Sequence, residues 1–287
     1  MFTKKLPLVK SNTCNNNDKN PLRLEQFYEY GIQGLNKDTN TIKYANLMAK
    51  LIQDFPSLKK LIGTCPIYRQ EGNGWGLTLI KTGVTYGLSY QGIQEILNLM
   101  GMEKNIIVAE TEQKLRDAFL HLQTSKAALI TDIKALDSTS CGHAISLFVE
   151  KKGNVFRLFI NDSMANYYFF EDIQAIVPKG YQLQLVISRV ERQKPTDVTC
   201  NAFAITDCEA FIKNPNLLTE MQNLMIPTSG HAYEANLKNM PASLMGLEKS
   251  EDARKKALDF QLMLMKAHQI PIVENTNSNS QQRIYKP

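Results

Sequence analysis

Apolar positions recur at helical spacing near the start of the chain. From Thr41 to Phe55, the residues Ile42, Ala45, Leu47, Met48, Leu51 and Ile52 fall on one stripe, which predicts a helix ended by Pro56. Tyr90 to Met102 and Glu110 to Gln123 read as two further helices; in the second, Leu115, Phe119 and Leu122 recur at i, i+4 and i+7. The period then changes to two. Ala127 to Ile133 is an apolar run of strand length, and His143–Lys152 and Asn154–Asp162 are rich in β-branched and aromatic residues. Lys152-Gly153 between them predicts a tight hairpin turn. Gln182 to Glu191 alternates and makes a fourth strand. From Cys200 the spacing is helical again, with Phe203, Ala204, Asp207 and Phe211 along one side. A last helix over Glu251–His268 has Ser250 as its cap, acids in its first turn, Lys266 and His268 near its end, and Pro271 to stop it. Helices, a strand block and helices again predict an α+β domain: a small, mostly antiparallel central sheet flanked by helices.

Two polar stretches, Ser11–Asn20 and Glu274–Gln282, are rich in Asn and have little to bury. They predict flexible tails over 1–21 and 273–287 around a single ordered domain over 22–272. Gly72 to Gly76 is glycine-rich, but no Gly-Lys-Ser/Thr follows, so it reads as a loop and not a phosphate cradle. With 43% hydrophobic and 21% charged residues the chain is neither disordered throughout nor a coiled coil. Its 33 basic and 28 acidic residues leave a net charge of +5, which suits a small polyanion and is too slight for a duplex-DNA binder. No nucleic-acid partner is expected. No long apolar run follows MFTKKLPLVK, so no Sec-type signal peptide is expected, and nowhere do about 18 apolar residues occur in succession to span a membrane. Five scattered cysteines (Cys14, Cys65, Cys141, Cys200, Cys208) without a CxxC pair predict free thiols in a reducing compartment.

Free thiols and four histidines (His121, His143, His231, His268) make nucleophile–base pairs easy to search. A cysteine nucleophile needs a base, a third group to orient that base, and benefits from a helix N-terminus that stabilises the thiolate. Cys200 opens a helix after the polar turn Lys194-Pro195-Thr196-Asp197-Val198-Thr199; the plain alternative is a buried cysteine that starts a core helix. His143 lies ten residues before Gly153 and Asp162 nine after it, which makes them near cross-strand neighbours at the open end of the hairpin. Asp162 can then hold the imidazole in one tautomer; the plain alternative is a polar pair at the end of an ordinary hairpin. Other candidates carry less. Cys141 and His143 could share a strand face as metal ligands, but no further ligand is evident and no metal is expected. Cys208 reads as a core residue, His121 and His268 as surface or capping residues, His231 as the alternative base, and Trp75 as a packing residue.

The order His, then Asp nineteen residues later, then Cys after a Gln-containing turn resembles the CE clan of cysteine peptidases, and within it the YopJ branch of injected bacterial effectors. The matching segments are HAISLFVEKKGNVFRLFINDS and QLQLVISRVERQKPTDVTCNAFAITDCEAFIK, with the similarity over about 140–213 and a fainter echo in Asn239–Met245. Gln193 stands seven residues before Cys200 where the family has six, and Asn201 stands where a small residue or Gln is commoner. Ala144 follows His143 where ubiquitin-like-protein peptidases carry Trp, which favours the YopJ branch.

The resemblance implies a CE-clan fold with His143 as general base, Asp162 as its orienting acid, Cys200 as nucleophile and Gln193 as oxyanion donor. It implies acetyl transfer from acetyl-CoA to Ser, Thr or Lys of host signalling proteins by a secreted effector in the host cytoplasm, with inositol hexakisphosphate as activator. Arg254, Lys255, Lys256, Lys59 and Lys60 are the basic residues available to such a polyanion, and none is assigned to it. The same triad serves a peptidase that cuts after the C-terminal glycine of ubiquitin or a ubiquitin-like protein. A third reading is an inactive member that only binds host proteins.

Overall fold

The computed structural model describes residues 21–33, 38–71, 78–122, 125–131, 142–165, 175–194, 197–214, 216, 220, 225–227, 234–237 and 245–274, with only the backbone of 33, 38, 67–71, 78–83, 225–227 and 234–237. Residues 1–20 and 275–287 of the predicted tails, the Gly72–Gly76 loop, Trp75, His231, Cys141 and most of Asn239–Met245 lie outside the described residues.

The chain opens with β1 (Leu22–Arg23), α1 (Leu24–Gln33) and α2 (Asp38–Asp54), then a 3-10 turn at Pro56–Lys60. An antiparallel ribbon of β2 (Ile62–Glu71) and β3 (Thr78–Leu88) leads to α3 (Tyr90–Leu99), β4 (Ile106–Ala109) and α4 (Glu112–Leu120). Then come β5 (Lys126–Thr131), β6 (Ile145–Lys152), β7 (Val155–Asn161), β8 (Gln182–Ser188) and α5 (Cys200–Lys213). The chain closes with β9 (Met225–Pro227), β10 (Glu234–Leu237), α6 (Ser250–Ala267) and β11 (Ile272–Val273), the last pairing in parallel with β1.

Among the described residues the central sheet has seven strands in the order β4-β5-β6-β7-β8-β10-β9. It is mixed, which corrects the expected small, mostly antiparallel sheet: β4–β5, β7–β8 and β8–β10 run parallel, and only β5–β6, β6–β7 and β9–β10 are antiparallel. Parallel neighbours need a crossover, and α4 supplies the one between β4 and β5. With six helices among the described residues, the fold is a mixed α/β arrangement.

Period-two alternation sends side chains to both faces of this sheet. Leu129, Leu147, Val149, Leu158, Ile160, Leu185 and Ile187 pack with Leu115 and Phe119 of α4 on one face. Ala128, Ile130, Phe148, Phe159 and Val186 pack with Phe203, Cys208 and Phe211 of α5 on the other, where Phe148 stacks on Phe211 at 4.2 Å. Helices α1, α2, α3 and α6 complete this second, larger core. Helix α5 is buried on nearly every side, from Cys200 through Cys208, which is why no polar face shows in its sequence.

Local details differ from the sequence reading. In α2 the buried stripe is Tyr44, Met48 and Leu51, whereas Ile42 is exposed, because the Tyr44 hydroxyl reaches Gln261 of α6 and turns that face inward. Ser250 does not cap α6: its hydroxyl accepts from the Lys194 N–H and donates to the Arg192 carbonyl. Cys65 is disulfide-bonded, so the five thiols are not all free.

Candidate functional site

The β6–β7 hairpin sets the first two residues of the site. Its rungs run from Lys152↔Val155 to Ser146↔Asn161, so the turn is Gly153-Asn154, one residue later than expected, with Gly153 at φ +58 in the position that requires it. Beyond the last rung His143 and Asp162 face each other, and His143 Nε2 lies 2.7 Å from Asp162 Oδ1. The carboxyl group is fixed by a second bond from the Met164 N–H at 2.8 Å and is 1% exposed.

The third residue arrives on α5. Cys200 is the first residue of that helix, and its sulfur lies 3.7 Å from the Gly142 carbonyl oxygen and 3.5 Å from Asn201 Oδ1. It is also a hydrogen-bond and charge partner of His143. Asp162 occupies Nε2, which leaves Nδ1 as the ring nitrogen for the sulfur. Asn201 Nδ2 donates to the Leu88 carbonyl at 2.6 Å and ties the helix start to the end of β3. Thr199 precedes the helix without capping it, and its hydroxyl is buried without a partner. The first-turn N–H groups are therefore not taken up by a side-chain cap, and the positive end of the helix faces the sulfur's side.

The electrostatics follow from this packing. Burial disfavours the imidazolium, but the hydrogen bonds to Asp162 and Cys200 and the negative charge of both partners outweigh it, and His143 is pushed up to about 10. The ring therefore favours its protonated form at neutral pH, beside the Cys200 sulfur.

Gln193 is buried ahead of the segment that leads into Cys200. Its Oε1 accepts from Ser163 Oγ at 2.7 Å and its Nε2 donates to the Asp197 carbonyl at 2.6 Å, which leaves one amide hydrogen for another acceptor. Two buried arginines, neither singled out as a site residue from sequence, hold this region. Arg192 Nη2 lies 2.6 Å from Asp207 Oδ2 and 3.0 Å from Asn161 Oδ1, next to Asp162, and its guanidinium sits 5.0 Å over the Phe203 ring. Arg254 of α6 grips the Asp197 carboxylate from Nε and Nη2 at 3.1–3.2 Å. Arg254 is thus withdrawn from the set of basic residues available to a polyanion, and Lys256 lies 5.1 Å over the Phe260 ring, while Lys59, Lys60 and Lys255 are exposed. The sequence cue for both clamps was an Asp and an Arg inside one polar turn, but their partners are far away in the chain.

The remaining candidates take no part among the described residues. Cys208 is fully buried beside the Leu129 carbonyl, and burial pushes its thiol up. His121 contacts the Asp117 carbonyl on α4, and His268 ends α6. Among the described residues no group of three or more His, Cys, Asp or Glu is placed to hold a metal ion, and no helix is long and apolar enough to cross a membrane.

No protein-family model matches the chain. No curated protein matches it either. Among solved structures it is similar to HopZ1a in complex with IP6 (13% identity, TM-score 0.34) and with IP6 and CoA (12%, 0.33), and to AvrA delL154 with IP6 and CoA (11%, 0.34). These neighbours are YopJ-family effectors. Each likeness covers 46% of this chain, and 46%, 43% and 50% of the neighbour, so the chain spans about half the length of the structures it matches. TM-scores this low do not establish a shared fold.

Proposed function

We propose that the chain is a cysteine-dependent acetyltransferase of the YopJ type. The observation that carries this reading is His143 held by Asp162 at 2.7 Å while the same ring partners Cys200 at the start of a buried helix. In the first half-reaction the Cys200 thiolate attacks the thioester carbonyl of acetyl-CoA. The S–C bond forms, the C–S bond to CoA breaks, and the leaving CoA sulfur takes the proton from His143. Acylation removes the thiolate that favoured the imidazolium, so the ring is now a base. It takes the proton of an acceptor Ser, Thr or Lys of a host signalling protein as that group attacks the acetyl-cysteine, and Cys200 leaves as thiolate. The remaining Gln193 amide hydrogen and the N–H groups of Cys200 and Asn201 are the donors for the oxyanion, since those of Ala202 and Phe203 go to the Thr199 carbonyl.

Secretion as a bacterial effector, action in the host cytoplasm and activation by inositol hexakisphosphate belong to the same proposal and rest on the sequence resemblance. The test is intact-mass spectrometry after incubation with acetyl-CoA, with and without inositol hexakisphosphate, on wild type and Cys200→Ala. A single acetyl adduct that the variant lacks supports the reading. No adduct in either condition rejects it. Trapping of Cys200 by a ubiquitin C-terminal electrophile in that case assigns a peptidase, and failure of both probes assigns a protein that only binds.

A further inference from the structure

We propose that Arg254 is a positioning residue for this centre: by locking Asp197, it fixes the segment that leads into Cys200 and, through Gln193 and Ser163, the turn that carries Asp162. This rests on the catalytic reading above. The contacts form one path. Arg254 grips both carboxylate oxygens of Asp197 and reaches the Ile32 carbonyl of α1 at 3.5 Å. The Asp197 carbonyl accepts from Gln193 Nε2 at 2.6 Å. Gln193 accepts from Ser163 Oγ at 2.7 Å and its N–H donates to the Ser163 carbonyl at 2.9 Å. Ser163 follows Asp162 directly. Asp197 stands three residues before Cys200.

The described residues of 189–199 belong to no strand or helix, so side chains must hold them. Helix α6 supplies them from its first turn and a half: Ser250 to Lys194 and Arg192, Glu251 to Lys194, and Arg254 to Asp197. Of these, the Arg254–Asp197 pair is buried on both sides, at 5% and 1% exposure, and has the forked geometry that lysine cannot reproduce. A buried ion pair is a poor device for stability alone, and its better-attested use is to select one geometry.

The experiment compares wild type, Arg254→Lys, Asp197→Asn and, as a control on an exposed neighbour, Lys255→Gln. Folding is followed by circular dichroism, and alkylation of Cys200 by iodoacetamide is followed by mass spectrometry from pH 5 to 9. Misplacement of a reacting group by about 1 Å can cost up to about 100-fold. We expect folded Arg254→Lys and Asp197→Asn to be alkylated roughly tenfold more slowly at pH 6.5, with a changed pH profile, and Lys255→Gln to match wild type. If Arg254→Lys does not hold its native spectrum, the near-isosteric Asp197→Asn decides. Folded variants with the wild-type rate and profile overturn the positioning role, as does slowing only in proportion to unfolding. A wild-type Cys200 no more reactive at pH 6.5 than a free thiol overturns the catalytic reading itself, a result distinct from either.

Discussion

The β6–β7 hairpin and the segment from Arg192 to Thr199 deliver residues to the same centre but are held in different ways. The hairpin is a local object: seven rungs of backbone pairing and one glycine turn place His143 opposite Asp162. Among its described residues the second segment has no ladder. It is held by the buried carboxylates Asp207 and Asp197 on their arginines, by Ser163, and by the first turns of α6, which lies more than fifty residues further along the chain. A site can thus combine one half set by neighbours in sequence with another set by distant charges, and the second half is the more vulnerable.

The comparison can be broken in graded ways. The largest effect is chemical: His143→Gln and Cys200→Ala should each lower acetyl-adduct formation at least roughly 1,000-fold. An active His143→Gln variant would remove the hairpin's part in the chemistry.

Next comes Arg192→Met, which leaves Asp207 buried without its cation and should cost about 3–5 kcal/mol by urea denaturation. Gly153→Ala, at φ +58 with open space around its Cβ position, should cost only about 1 kcal/mol. If the turn variant proves the more damaging, the contrast between the two regions is wrong.

The His143 pair predicts a pH signature. Its folded-state pKa is raised from 6.5 to about 10, so the stability it adds over His143→Gln is complete below about pH 6.5 and is lost as pH rises through about 10. Urea denaturation of both proteins from pH 6 to 10 reads this as a narrowing gap. The smallest effect is expected at the exposed Lys194–Glu251 pair: Lys194→Gln should leave the melting temperature unchanged, which would place the hold on this segment in its buried pairs.

The helical period of α2, α3, α4 and α5 was legible because each buries one apolar stripe or more. The hairpin was legible because alternation and a Lys-Gly-Asn turn fix register to within a residue, and register alone brings His143 to Asp162. The parallel pairings were not legible, since a crossover leaves no local mark of which strand it returns beside. Nor was the β2–β3 ribbon, whose period is broken by a register shift between Ile67 and Tyr68. Arg254 shows the limit most plainly. In sequence it sits beside Lys255 and Lys256 as one of three basic residues, yet it is buried while Lys255 is exposed, because its partner Asp197 comes from 57 residues earlier.

The sequence by itself determined the helix that opens at Cys200, the hairpin and the pairing of His143 with Asp162, because periodicity and turn chemistry act over a few residues. Only the tertiary structure decided that Cys200 meets that pair, that Gln193 is engaged with Ser163 and Asp197, and that α6 reaches the site. Those contacts join residues tens of positions apart, and packing of the second core chooses them.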